Sequence, residues 1–266
     1  GLGGLNRIEI LKGSQSALYG GSAVAGVVNL YSLPNDDALE GYSQTANIML
    51  GSYDTLSTSY GLTQKTGPVT LSLGLSHLQS HGFSASEQND GNSEADGMRE
   101  TRTTFGATYQ LNADVNLGIN GFATQGEADF DEYAAAPIDG TFDETGTRKT
   151  NGIRLYSTID KLEWSHDVAL SYFGIERTSI SPTVGQKTLE NWGAPFSSVF
   201  NGERLRLEYS ATRRLSESIR LSIGADSQQE EARYDNLTDG RETVTTSGFF
   251  AEALFTPIET LDVTST

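Results

Sequence analysis

The sequence predicts an all-β chain: a transmembrane antiparallel β-barrel segment preceded by a small glycine-rich unit. Three observations carry this. Apolar residues recur at every second position through most of the chain, which puts one residue set on each face of a strand. The connections between these stretches alternate short turns with long polar loops, as in barrels whose turns lie on one side of a membrane and whose loops lie on the other. The face opposite the apolar one is rich in Gly, Ser, Thr and Asn, with Arg and Glu on some strands, which suits a hydrated lumen. A soluble barrel or sandwich would instead place bulky residues inside and a strongly charged face outside.

Bulk properties agree. The chain has 266 residues, 36% of them hydrophobic, with 29 Gly and 6 Pro, enough for one large β domain or two small ones. A net charge of −17 leaves no basic stripe to neutralise phosphates, so nucleic acid is excluded as a partner. The absence of Cys excludes disulfide scaffolds, cysteine-type zinc sites and thiol catalysis together. No run approaches the roughly 18–20 apolar residues of a membrane helix, but a membrane strand needs only about 9–11 residues with every second one apolar. The chain opens on Gly1 without a basic-then-apolar leader and closes within a strand-like stretch at 261–266, so both ends are expected to be cuts.

Taken in order, 6–13 (NRIEILKG) reads as a short strand ending on Gly, 14–19 as a helical turn broken by Gly20 and Gly21, and 26–31 (GVVNLY) as a second short strand. These form a compact βαβ-like unit, with a linker at 34–37. Strands are then expected near 41–50, 53–64, 69–81, 100–112, 115–126, 150–160, 164–177, 203–214, 218–230 and 245–256, with another starting near 260. The alternation of Val69, Leu71, Leu73 and Leu75 with Thr70, Ser72, Gly74 and Ser76 is typical. Short turns fall at 65–68, 112–114, 160–163, 215–217 and 256–259. Long loops fill about 82–99, 127–149, 178–202 and 231–244. Tyr42, Tyr53, Tyr60, Phe105, Tyr109, Trp164, Tyr172 and Phe255 lie near strand ends or on the apolar face, where interfacial aromatic girdles fall.

The stretch from Arg7 to Leu30, RIEILKGSQSALYGGSAVAGVVNL, resembles the closing segment of the plug domain in TonB-dependent outer-membrane receptors. The matching features are Arg7, Glu9, Gly13, Tyr19, Gly20, Gly26 and Asn29, with Ser14 standing where the family usually has Pro. Gly13, Gly20, Gly21 and Gly26 also make sense on their own, because a globule packed inside a barrel wall needs positive φ or close backbone approach. The resemblance implies residues 1–35 as the end of the plug and 40–266 as the N-terminal half of a barrel. The ten or eleven strands are then about half of a wall of about 22, wide enough to require a plug. It also implies a location in the bacterial outer membrane, contact with its lipid, and active import of a scarce, bulky small-molecule nutrient. Import would be driven by TonB through a plug segment upstream of this chain.

Within the family, Ser80-His-Gly-Phe83, Ala95-Asp-Gly-Met98 and Asp129-Phe-Asp-Glu-Tyr133 are similar to the cobalamin-receptor branch. There, acidic residues of external loops hold calcium; Glu94, Asp96 and Asp131 fall on such positions, whereas Ser84 stands in place of an acid and Phe130 in place of a hydroxylated aromatic. Oxygen-rich loops suit calcium, which takes about 6–8 oxygen ligands, but a solvated acidic loop without metal has the same composition. Phe130, Tyr133, Trp192 and Phe196 are expected on external loops, where they could stack on a corrin or an aromatic siderophore or simply pin loops together.

No enzyme is expected. Of the three histidines, His77 and His81 lie four apart on a strand, about 13 Å along it, too far to share an ion. No nucleophile with a convergent base stands out. The leading class is therefore a TonB-dependent importer, cobalamin-like by resemblance, with siderophore and haem receptors as alternatives in the same family. A passive porin and a surface-binding barrel are the readings outside it.

Overall fold

A computed structural model describes residues 5–13, 25–32, 40–84, 95–131, 143–181, 196–235, 240–258 and 261–265. Every described element is a strand. β1 (Leu5–Lys12) and β2 (Gly26–Ser32) form a separate two-stranded sheet. Their pairing is antiparallel, with Glu9 opposite Asn29, whereas the βαβ-like unit expected from the sequence would bring its two strands together in parallel through a crossover. Two of the four glycines behave as anticipated. Gly13 has φ +90°, and Gly26 has φ +148° with a position where a Cβ would stand 2.4 Å from the Leu11 carbonyl oxygen. Tyr19, Gly20 and Gly21, with the helical turn expected at 14–19, lie outside the described residues.

The second sheet has eleven strands: β3 (Gly41–Gly51), β4 (Thr55–Thr66), β5 (Val69–Ser80), β6 (Met98–Gln110), β7 (Val115–Asp131), β8 (Asp143–Lys161), β9 (Trp164–Ser181), β10 (Phe196–Ser216), β11 (Ile219–Tyr234), β12 (Arg241–Ile258) and β13 (Leu261–Ser265). Each pairs antiparallel with its neighbours in sequence, the up-and-down order that hairpin connections produce. At the short-turn ends the strands fall within about two residues of the sequence expectation. At the loop ends they run further: β8 begins at 143 rather than 150, and β10 at 196 rather than 203.

Burial is inverted relative to a soluble domain. Among the described residues the buried apolar side chains are Ala169 and Ala211 alone, while Thr70, Ser72, Thr104, Thr124, Ser198 and Ser222 are buried. Leu71, Leu73 and Leu75, on the opposite face of β5, are 49%, 39% and 45% exposed, and Leu205, Leu207, Ile223 and Phe249 are exposed as well. Directly paired residues of an antiparallel ladder point to the same side, so the polar set is continuous from strand to strand. The small hydroxyls therefore crowd the concave side and the large apolar groups face outward. Left in water, such an exterior would be an apolar patch far larger than monomers tolerate; in lipid it is the favourable surface.

The outward face changes character along each strand. On β7 it runs Leu117, Ile119, Gly121, Ala123 from the short-turn end, then Gln125, Glu127 and Asp129. On β8 it runs Ile159, Ser157, Leu155, Ile153, then Asn151, Lys149 and Thr147. Since about 9–11 residues cross a membrane, the 17 residues of β7 and 21 of β10 carry the sheet beyond the apolar band on the loop side.

Candidate functional site: the lumen wall and external rim

At the loop end, the β3–β4 turn and the start of the β5–β6 loop are clasped together. Tyr53 and Asp54 have φ 59° and 51°, the paired left-handed conformation of a type I′ hairpin turn. His81 donates its backbone N–H to the Tyr53 carbonyl at 2.9 Å and sets Nδ1 2.9 Å from Asp54 Oδ2, while the Tyr53 and Phe83 rings lie 5.2 Å apart. A cavity of about 240 Å³ opens beside this clasp, lined by His81, Arg99, Glu127 and Asp129 among others.

Ion pairs continue along the outer face above the apolar band. Arg99 pairs with Glu127 at 2.7 Å and Lys149 with Glu176 at 2.9 Å, in each case directly across a ladder. Glu231 accepts from Arg233 at 2.7 Å and from Arg241. Desolvation alone would push the Glu231 carboxyl up, but the hydrogen bonds from Arg241 and then Arg233 outweigh it and hold the group below the usual glutamate range. On the lumen side, Arg154 pairs with Glu208 at 2.8 Å, and Arg206 lies 3.4 Å from Glu208 and 3.5 Å from Asp226. These four residues tie β8, β10 and β11 together.

The residues expected from the sequence to bind ligand are only partly brought into view. Phe130 lies in β7 rather than on a loop, directly opposite Glu144 and against Gly146, on the lumen face. Phe196 opens β10 instead of ending a loop. Both corrections have one cause: beyond the lipid neither face need be apolar, so period two disappears while the ladder continues. Tyr133 and Trp192 lie outside the described residues.

Of the expected calcium ligands, Glu94 also lies outside, Asp131 is the last residue of β7, and Asp96 is half-buried next to Gly97. Gly97 accepts the Asp129 N–H at 2.9 Å, and a Cβ on it would stand 3.4 Å from Asp129 Oδ2, so Asp96 and Asp129 are neighbours. Asp129 also accepts from Thr145 at 3.2 Å. Among the described residues no group of three or more acids or histidines converges as a metal cage. The carboxylates present are nonetheless hard oxygen donors of the type calcium takes. In the first sheet Arg7, Glu9 and Asn29 occupy β1 and β2.

Residues that reading along the sequence did not single out include Phe122, Phe173, Arg102 and Arg204. Each interrupts or occupies the polar face, and only the cross-strand register brings them together.

The whole architecture, hairpin and meander together, matches known structures. A copper transporter, OprC, superposes with TM-score 0.75 at 18% identity, covering 96% of this chain and 40% of its own. The siderophore receptor PirA from Pseudomonas aeruginosa gives 0.69 at 16%, covering 96% and 41%. This is the fold of the TonB-dependent receptors. The vitamin B12 transporter BtuB of Photobacterium profundum is similar to this receptor-fold chain in sequence, 26% identical over 219 residues, which is 78% of this chain and 30% of the relative. The chain thus spans about a third of that relative's length. No protein-family model matches the sequence.

Proposed function

We propose that this chain is the end of the plug and the first half of the barrel of a TonB-dependent outer-membrane receptor. The whole receptor imports a scarce, bulky nutrient with energy delivered by TonB through a plug segment preceding these residues. The observation that carries the reading is the inverted burial of the eleven-stranded sheet, with apolar groups outward and small polar groups inward, joined to its likeness to receptor structures. The plug-like sequence from Arg7 to Asn29, on the separate hairpin, favours a gated importer over an open porin or a surface-binding barrel. The test is growth of a strain lacking its own receptors, rescued by the full-length gene on cobalamin or on single iron chelates, with and without TonB. Rescue that persists without TonB would overturn the reading.

Cobalamin is supported by the vitamin B12 transporter match, and siderophores by the structural neighbours. Calcium at the Asp96–Asp129 corner belongs to the same proposal. There it would neutralise the carboxylates, and protease protection of the full-length receptor by millimolar calcium is the check.

A further inference from the structure

We propose that the outward face at the short-turn end of β8–β10 holds the phosphate of a membrane phospholipid, drawn from the leaflet on the turn side. The site goes beyond import and rests only on the reading that this face of the sheet meets lipid.

The lipid band can be measured along β10. Its outward residues are Glu203, Leu205, Leu207, Tyr209, Ala211 and Arg213, and Glu203 is directly opposite Glu231, a member of the external ion pairs. From Glu203 to Arg213 is one crossing of about 9–11 residues. Arg213 therefore falls where the apolar band meets the headgroups on the turn side. Lys161 ends the band on β8 in the same way, beyond Ile153, Leu155 and Ile159.

At that level three residues form one row. Lys161 and Arg213 are the register partners of Trp164, one on each side, so an indole stands between two cations on the same face. His166 and Tyr209 extend the rings toward the lipid. Trp164 and His166 lie 6.4 Å apart, His166 stacks on Tyr209 at 6.1 Å, and the imidazole Nδ1 is 2.9 Å from the Tyr209 hydroxyl. With the hydroxyl as donor, the ring proton sits on Nε2, where it is free to be shared with a ligand. Ala211, the register partner of His166, is 1% exposed, so the side chains around it form a closed surface.

The acids of this end do not cancel the cations. Glu163 receives Arg213, but it is one carboxylate for two cations. Asp160 and Asp167 alternate onto the lumen face, where Asp167 accepts from Thr158, and Glu217 lies in the following turn. The Lys161 ammonium and the Trp164 indole N–H have no partner among the described residues, and Arg213 Nε is shielded from solvent with no acceptor.

What answers such a set is an anion at the depth of the headgroups. Indole and phenol rings settle at that depth because one end is apolar and the other wet. A phospholipid phosphate lies there too, offering oxygens to a guanidinium through charge-assisted bonds and to an ammonium as a point charge. Its acyl chains then run along Leu155, Leu170 and Leu207, which are directly paired and exposed. A lipid without phosphate would cover the leucines and leave the cations unanswered.

The test uses the purified full-length receptor, delipidated in detergent and titrated with dioleoylphosphatidylglycerol or dioleoylglycerol, with bound lipid read by native mass spectrometry. The phospholipid should bind about tenfold more tightly than the diacylglycerol. K161Q, which breaks no contact among the described residues, should weaken it several-fold, and K161Q/R213Q about tenfold. R214Q/R220Q removes a directly paired set of cations from the same end of the sheet on its lumen face, and should leave the affinity unchanged. Heat-modifiable mobility verifies that each variant is folded, and K161Q alone decides if the double variant is not. Equal binding of the two lipids overturns the proposal, as does an unchanged affinity in K161Q. So does a loss in R214Q/R220Q equal to that in K161Q/R213Q, which would make the effect one of bulk charge. Lipid binding needs neither TonB nor a nutrient, so a failed growth rescue counts against the import reading alone.

Discussion

Leu162 has φ 54° and Glu163 φ 65° in the two-residue turn between β8 and β9, a type I′ turn without the Asn or Gly that usually fills it. The left-handed region costs an ordinary residue about 1–2 kcal/mol. The equivalent strain at Tyr53 and Asp54 is offset by contacts, since both hold the external clasp. Glu163 likewise receives Arg213. Leu162 is 81% exposed and has no comparable polar contact or ring stack. Leu162→Asn should therefore stabilise the full-length barrel by about 1 kcal/mol, read as a higher urea midpoint in detergent refolding; an unchanged midpoint would show that the strain is relieved elsewhere. The sequence marks this turn by its polar flanks at Asp160 and Lys161, but nothing in Leu-Glu announces positive φ. The same blindness affects the lumen face. Phe122 and Phe173 look like exceptions on a polar face until the register shows that Gly152 separates them.

At the scale of the strand, what decides placement is whether the outward face meets lipid. Leu71, Leu73 and Leu75 do, whereas Gln79 on the same face of β5 lies at the loop end beyond the apolar run. Leu73→Lys should cost about 2–4 kcal/mol and Gln79→Lys within about 1 kcal/mol, because the penalty for a charge on a barrel exterior falls steeply with distance from the bilayer centre. Equilibrium unfolding of both variants in lipid checks this, and equal costs would mean the apolar band is misplaced. This boundary explains which parts of the strands were legible. Within lipid, alternation is compulsory, so the short-turn ends of β5 and β9 fall within a residue of expectation. Beyond it, the ladder is held by pairs such as Lys149–Glu176, which leave no periodic apolar signal. The seven extra residues at the start of β8 and of β10 therefore carry a loop-like sequence, and Phe130 and Phe196 stand in strands that their surroundings in the sequence do not mark.

For the whole molecule, the decisive feature is that every strand pairs with its neighbours in sequence, which leaves β3 and β13 with one unpaired side each among the described residues. On β3, Tyr42, Ile48 and Leu50 are 75%, 76% and 78% exposed, so its open edge carries large apolar groups as well as free backbone donors and acceptors. Such an edge recruits other chains. Closing the sheet on itself would pair the two edges, but it would force the wall into a narrow barrel. Arg102, Phe122, Phe173, Arg204 and the Arg154–Glu208 pair would then crowd a lumen far narrower than that of a wall of about 22 strands. The 266 residues alone are therefore expected to associate rather than close: refolded in detergent, they should give no heat-modifiable, protease-resistant monomer on a gel, and co-refolding with the remaining barrel strands should restore one. A protease-resistant monomer from this chain by itself would mean that β3 and β13 satisfy each other, and that half of the wall suffices for a closed barrel.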